Sequence, residues 1–453
     1  MDLDPLSLFR DLDAGAVLAV AVSGGSDSLA LLLLGHDFVR RHRPALRLTA
    51  VTVDHGLRPE SAAEAAWVAA FCRQRGIAHE TVVWQGDKPE TGLAAAAREA
   101  RYRLLADAAQ RAGASVVLSG HTLDDQAETL AMRAARAEGA GQMGAGLAGM
   151  ARATLFDGRV WIARPLLGLR RQALRDWLGR RGVEWIDDPS NDNPAYERVR
   201  VRKALAHAEV ETLGAEARRQ ALARQALAKR AAAWIGRFAS RPAPGLLRLD
   251  PAFADGDDDA REAAILALRA LLATAGGTPR LPDRARVETL LRRLADGAPM
   301  RATLSRAAVD TRRAGVFLRR EARNLPVVPR GAGPVLWDGR LRATAAPGAH
   351  DLHIGPLGHD GAARFPAETQ AGVPPALVRA AWAAEPALYS GRTLIGPRLA
   401  PAAAGDSVPA SPAAAPFARF LTGFDLPLAA ALHRLAGAPA LPSPPWPEHI
   451  GPG

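Results

Sequence analysis

In AVLAVAVSGGSDSLALLLL, residues 16–34, the polar hexad Ser23-Gly24-Gly25-Ser26-Asp27-Ser28 interrupts what would otherwise be one apolar run. Between a strand's end and a helix's start, such a segment is suited to hold phosphate. Unpaired backbone N–H groups and the positive end of the helix dipole converge there. Gly24 and Gly25 let the backbone approach an anion closely, while the serines add hydroxyl donors. Neither GxxxxGK[ST] nor GxGxxG is present, so this is neither the common phosphate loop nor the dinucleotide fingerprint. A second constellation lies in GHTLDDQAETLAMR, residues 120–133, where Asp125 and Glu128 share one face of a helix and His121 stands one turn before them. Two neighbouring carboxylates can hold an ammonium or a metal, and one of them can accept a proton. The alternative for this acidic stretch is charge complementing a helix N-terminus.

The elements that must position these residues alternate regularly. Residues 16–22 read as a buried strand and Asp27 opens a helix; LRLTAVTVDHG, IAHETVVW and ASVVLSG read as further strands, each followed by a helix. This is α/β patterning with a doubly wound, Rossmann-like parallel sheet, in which ligands bind at the carboxyl ends of the strands. Ser23–Ser28, Asp54–His55 and Ser119–His121 all fall at such ends. Beyond RPLL at 164–167, the chain reads as a helix, a second short strand at VEWI, a polar loop in which Asp188, Ser190 and Asn191 could cap a turn, and a basic helix start. From about 206 the pattern is mainly helical, with strand-like alternation returning at ATLSRAAVDTRRAGVFLRRE; after Asn324 it is rich in Pro and Ala. The expected division is a catalytic domain over 1–205, a mainly helical domain over 206–325 and a partly irregular region over 326–453.

Composition narrows the classes. The 453 residues carry 58 Lys and Arg against 47 Asp and Glu, a net charge of +11. That balance suits a polyanionic partner such as RNA, or reflects arginine on solvated faces. No apolar run approaches the ~18 residues of a membrane span, so the expectation is a cytoplasmic protein without membrane contact. Cys72 is the only cysteine, which excludes an intrachain disulfide and chemistry needing two thiols.

The hexad resembles the SGGxDS pyrophosphate loop of the N-type ATP pyrophosphatases, the PP-loop enzymes that split ATP between its α and β phosphates to adenylate a substrate. VDHGLRPES at 53–61, AREARYRLL at 97–105, GHTLDDQAETLAMR, RPLL, GLAGM at 146–150 and DDPSNDNPAYERVRVR together resemble the tRNA(Ile)-lysidine synthases over about the first 205 residues. This resemblance implies adenylation of the C2 oxygen of the wobble cytidine in a CAU-anticodon isoleucine tRNA, with release of pyrophosphate. The ε-amine of free L-lysine then displaces AMP. It further implies ATP contact by Ser23, Gly24, Gly25, Ser26, Asp27, Ser28, Asp54, His55, Gly120 and His121, with Asp27 placing Mg²⁺ or acting as an ordinary N-cap. Lysine's ε-amine has an unperturbed pKa near 10.4, so only about four molecules in ten thousand are nucleophilic at pH 7. Asp125 and Glu128 are the groups expected to hold that ammonium, and Arg101 to face the α-phosphate or departing AMP. Arg164, Arg198, Arg200 and Arg202 are expected at tRNA phosphates. Two departures stand out: Val199 replaces the Asn of the family's RNRIR, and the segment 133–150 is longer than the family's turn. Among rivals, a tRNA thiolase relies on cysteines this chain lacks, and a small-molecule adenylating ligase would need a different acceptor. An RNA-binding module with a dead ATP site is opposed by intact Asp27, Asp125 and Glu128.

Overall fold

In the first strand every residue is buried, which is the signature of a strand covered by helices on both faces. The computed structural model describes residues 3–140, 148–187, 193–329, 335–343, 352–364, 372–397 and 410–447. Strands β1 (Val17–Ala21), β2 (Arg47–Asp54), β3 (Ala78–Val83), β4 (Val116–Leu118), β5 (Ala153–Phe156) and β6 (Val160–Ala163) run in the sheet order β5-β6-β4-β1-β2-β3. The pairs β1–β2, β2–β3, β1–β4 and β4–β6 are parallel, and the β5–β6 hairpin is antiparallel. Helices α2 (Ser26–His42), α3 (Ser61–Gln74), α4 (Leu93–Ala112) and α5 (Leu123–Ala140) connect them, after a short α1 (Pro5–Phe9). One core cluster joins Val17, Ala19 and Val117 of the sheet to Tyr102, Leu105 and Ala109 of α4 and to Phe156 of the hairpin. The strand order reverses at β1, so the loops after β1 and β4 flank the crevice where ligands of such sheets lie.

Further helices are α6 (Arg171–Gly179), α7 (Glu197–Ala204) and α8 (His207–Phe238). The short strand expected at VEWI does not form. Its Ile186 N–H makes one backbone bond, to Gly24 O at 3.0 Å, and so props the glycine loop instead of joining a ladder. Asp188, Ser190 and Asn191, expected as caps, lie outside the described residues, as do Gly146 and most of the Pro/Ala-rich stretch near 400.

The chain divides into two compact units, one of residues 1–224, 422–424 and 442–453, the other of 225–421 and 425–441. In the first unit, the chain's last segment packs against its beginning. Pro445 O accepts from Asp13 N–H at 2.9 Å, and Trp446, 2% exposed, lies 3.9 Å beneath the Arg152 guanidinium.

The second unit departs from a mainly helical region. Alongside α9 (Asp258–Gly276) and α10 (Arg284–Ala295) it holds a five-stranded antiparallel sheet of β7 (Ala239–Ala243), β8 (Leu246–Leu249), β9 (Arg301–Leu304), β10 (Ala307–Arg312) and β11 (Gly315–Arg320), in the order β7-β8-β11-β10-β9. The helical reading ran through Ser240 because Trp234 and Phe238 continue the apolar stripe of α8; the two-residue turn to β8, with Gly245 at φ +70°, shows that the chain has already turned to strand. The Pro/Ala-rich region likewise contains regular structure. Its described residues form antiparallel pairs between 352–356, 386–390 and 393–397, and among 335–337, 341–343 and 410–412.

Candidate active site

The Ser23–Ser28 loop is built as a cradle. Ser23 N–H donates to Ser28 Oγ at 3.1 Å, and Ser28 Oγ donates to Gly25 O at 3.0 Å, so the turn is closed by its own hydroxyls. Gly24 stands at φ +87°, a left-handed conformation that favours glycine, and a Cβ there would crowd the Ile186 side chain at 2.7 Å. Helix α2 starts without a side-chain cap, which leaves its N-terminal N–H groups to face the cleft. Across the crevice a Cβ on Gly120 would lie 3.0 Å from the Asp27 carbonyl carbon and oxygen, so the loop after β4 touches the first turn of α2 directly.

A cleft of about 610 Å³ opens on this junction. Ser23, Gly25, Ser26, Asp27, Ser28, Arg101, Gly120, His121, Asp125, Arg198 and Arg202 line it, eleven of the residues singled out from sequence. Glu128 sits behind them, 1% exposed, under the arginines it binds. Asp54 and His55 stand at the end of β2 but do not line the cleft. Asp54 accepts from Gly56 N–H at 2.8 Å, and the His55 ring stands edge-on to Trp84 at 6.2 Å.

The acidic side of the cleft is saturated with arginine. Asp125 Oδ2 accepts from Thr122 N–H and Thr122 Oγ, both at 2.8 Å, while its Oδ1 accepts from Arg171 Nη2 at 3.1 Å and Arg198 Nη2 at 2.8 Å. Glu128 Oε1 accepts from Arg202 Nε at 2.7 Å and Arg171 Nη1 at 3.4 Å, and Oε2 from Arg198 Nε at 2.6 Å. Asp27 Oδ2 accepts from Arg171 Nε at 3.0 Å. Burial raises the Asp27 pKa, the Arg171 charge opposes that, and the nearby Asp125 charge adds to it. Such a carboxylate, beside a phosphate cradle, suits Mg²⁺, which takes one or two carboxylates and completes its shell with phosphate oxygens and water. Among the described residues there is no group of three or more His, Cys, Asp or Glu side chains that could hold a metal ion.

The other side is basic. Arg101 faces the cleft half-buried, and among the described residues no carboxylate or other acceptor pairs with its guanidinium. Burial lowers its pKa. His121 bonds Ser119 Oγ through Nδ1 at 2.8 Å, and lies before α5 rather than on it. Burial holds its pKa well below the ordinary value, reinforced by Arg164, Arg101, Arg198 and Arg98, so the imidazole is neutral.

One of the expected tRNA contacts is corrected by this geometry, and a second has its guanidinium engaged by nearby carbonyls. Arg164 is 3% exposed, and its Nη1 is bound to Ala151 O at 2.9 Å and Thr154 Oγ1 at 3.0 Å; it braces the β5–β6 hairpin and reaches no surface RNA. Arg200 is exposed but turned back onto Pro194 O and Ala195 O at 2.8 and 3.0 Å. The RVRVR segment reads as alternating; on α7 it is helical, so Arg198 and Arg202 are one turn apart, on the face carrying the carboxylate contacts. Val199, the departure from the family's asparagine, is 5% exposed and packs inward.

Sequence reasoning missed Arg171 and Arg175. Arg171 bridges Asp27, Asp125 and Glu128; Arg175 reaches Ser26 Oγ at 3.4 Å and Asp187 Oδ1 at 2.9 Å. Their signal was present: LRRQALRDW begins a helix with arginines, where the dipole disfavours cations. A rule broken there needs anions nearby, and Asp124 supplies the first, accepting from Arg171 N–H at 2.7 Å and pairing with Arg170.

A PP-loop domain model matches residues 6–209. A tRNA(Ile)-lysidine synthase of Mesorhizobium japonicum is 50% identical over 454 aligned residues, covering 98% of this chain and 97% of its own. The chain belongs to the tRNA(Ile)-lysidine synthase family. A second member, from Rhizobium meliloti, is 45% identical over 332 residues, 72% of each chain. Among solved structures, a U34-tRNA thiolase from Methanococcus maripaludis matches 48% of this chain and 77% of its own at 16% identity and a TM-score of 0.39, a likeness too slight to bear on the chemistry. Among the described residues no helix is long and apolar enough to cross a membrane.

Proposed function

We propose that the chain ligates free L-lysine to C2 of the wobble cytidine of CAU-anticodon tRNA(Ile), using ATP and releasing pyrophosphate and AMP, which changes the codon read from AUG to AUA. The observation that carries this reading is that one cleft is lined by both the phosphate cradle of Ser23–Ser28 and Asp125, with Glu128 directly behind and joined to Asp125 through Arg171 and Arg198. An adenylating half and an ammonium-binding half are thus within one site. Ser23, Ser26, Ser28 and the N–H groups opening α2 bind the phosphates. Asp27 is the residue to hold Mg²⁺, whose charge, when bound, offsets that of the phosphates. Arg101, half-buried and without an acceptor among the described residues, is aimed at charge developing on the α-phosphate and AMP. Asp125 and Glu128 bind the ε-ammonium and one of them takes its proton. Cytidine must enter unstacked, as an anticodon loop presents it. The catalytic work belongs to residues 1–205, and residues 206–325 and 326–453 position the tRNA.

The test is incorporation of labelled lysine into a CAU-anticodon isoleucine tRNA transcript with ATP and Mg²⁺, beside the same transcript carrying U at the wobble position. Incorporation that requires ATP and the wobble C, with pyrophosphate released, supports the reading. Pyrophosphate release with another acceptor and no lysine transfer would retain the adenylation and overturn the substrate.

A further inference from the structure

Among the described residues, Arg171 alone touches Asp27, Asp125 and Glu128 together. Its Nε is 3.0 Å from Asp27, its Nη2 3.1 Å from Asp125 and its Nη1 3.4 Å from Glu128. Its backbone is fixed, because Asp124 accepts from the Arg171 N–H at 2.7 Å and so holds the start of α6. Its side chain reaches in two directions. Nε points to the first turn of α2 and the phosphate cradle. The two Nη groups share Asp125 Oδ1 with Arg198 Nη2 and Glu128 Oε1 with Arg202 Nε; with Asp125 Oδ2 taken by Thr122, the place Arg171 fills on these two oxygens is the one an entering ammonium would need. In this structure a guanidinium therefore stands where the substrate's cation would bind.

We propose that Arg171 is a positioning residue that orders the substrates, an inference that rests on the lysine-ligating reading above. Phosphates arriving at the Ser23–Ser28 loop draw its guanidinium off Asp125 and Glu128, and those two carboxylates then accept lysine's ε-ammonium. Arginine suits this exchange because its planar fork binds phosphate and carboxylate in the same bidentate manner. Nucleotide and lysine are thereby coupled positively, and by linkage lysine tightens the nucleotide by the same factor. Without nucleotide the acidic pair stays closed to free lysine and to other amines.

Equilibrium dialysis of labelled lysine against the full chain, with and without the α,β-methylene analogue of ATP plus Mg²⁺, tests this. Wild type is expected to bind lysine at least about tenfold tighter with the analogue, ~1.4 kcal/mol. Arg171→Gln is expected to bind lysine without the analogue as wild type does with it, and the analogue should add less than about twofold. Arg171→Lys, which keeps a cation on the same helix, should retain part of the wild-type response. A merely structural role predicts the opposite for Arg171→Gln, namely weaker lysine binding in both states, and that result overturns the inference. So does a wild-type affinity indifferent to the analogue. If wild type transfers lysine to the wobble-cytidine transcript yet shows no nucleotide effect, Arg171's role alone is lost; if it transfers none, the reading beneath it falls as well.

Discussion

Two arginines separated by 63 positions in sequence show how little residue type decides by itself. Arg101 and Arg164 are both cations near His121, yet one faces the cleft without an acceptor among the described residues and the other has its guanidinium bound to the carbonyls and hydroxyl of the β5–β6 hairpin. Arg101→Met is expected to leave the melting temperature within a few degrees of wild type and to slow pyrophosphate release by about 10²–10³-fold. Arg164→Met should instead cost roughly 1–3 kcal/mol of stability through the buried acceptors it leaves unmade. Thermal melts and a pyrophosphate assay on the same two proteins separate the roles. His121 adds a pH signature. Its folded pKa lies well below the unfolded value near 6.5, so below about pH 6.5 the unfolded chain takes up a proton that the folded chain refuses. Stability conferred by the neutral ring is present above that pH and is lost as the pH falls towards the folded value. His121→Gln should therefore flatten the decline in melting temperature between pH 7 and 5, and an unchanged slope would count against the assignment. The cradle and the Asp125–Glu128 pair were legible because each is contiguous in sequence. Arg171 was not, since it meets Asp27 across 144 positions and advertises itself only as an arginine at the wrong end of a helix.

Elements meet here through backbone as much as through side chains. The loop after β4 approaches the first turn of α2 so closely that a methyl group on Gly120 would sit 3.0 Å from two backbone atoms of Asp27 and 3.1 Å from Ser28 N. Gly120→Ala must push the cradle away from α5, with a cost of about 1–3 kcal/mol. The expected result is a lowered melting temperature together with a raised KM for ATP, measured by pyrophosphate release. The parallel sheet was legible because its strands are short Val- and Ala-rich runs, each closed by a helix. The antiparallel sheet of β7–β11 was only half legible. Its β10–β11 hairpin reads as strand in the sequence, whereas β7 follows α8 without a break, and only pairing with β8 makes Ala239–Ala243 a strand. VEWI failed for the converse reason: it has strand-like residues but pairs with no strand, its Val183 N–H bonding back to Leu178 O and its Ile186 N–H to the glycine loop.

For the molecule as a whole, the sequence's sense of a catalytic segment followed by others conceals a return of the chain. Residues 442–447 belong with residues 1–224, where Trp446 is almost fully buried beneath Arg152 and Pro445 is bonded to Asp13. Trp446→Ala is expected to destabilise that unit by about 3–5 kcal/mol, measured by denaturant unfolding, although Trp446 is far along the chain from every residue of the cleft. Truncation after Asn324 is thus a poor probe of tRNA binding, because it strips a packed tryptophan from the unit that holds the ATP loop. The same return sets a schedule for synthesis. At about 5–20 residues per second, the stretch 225–441 takes roughly 10–40 s to translate. For that interval the nascent first unit has left the ribosome without residues 442–447, so a message cut short anywhere in the second unit yields a chain with every cleft residue present and its fold unfinished.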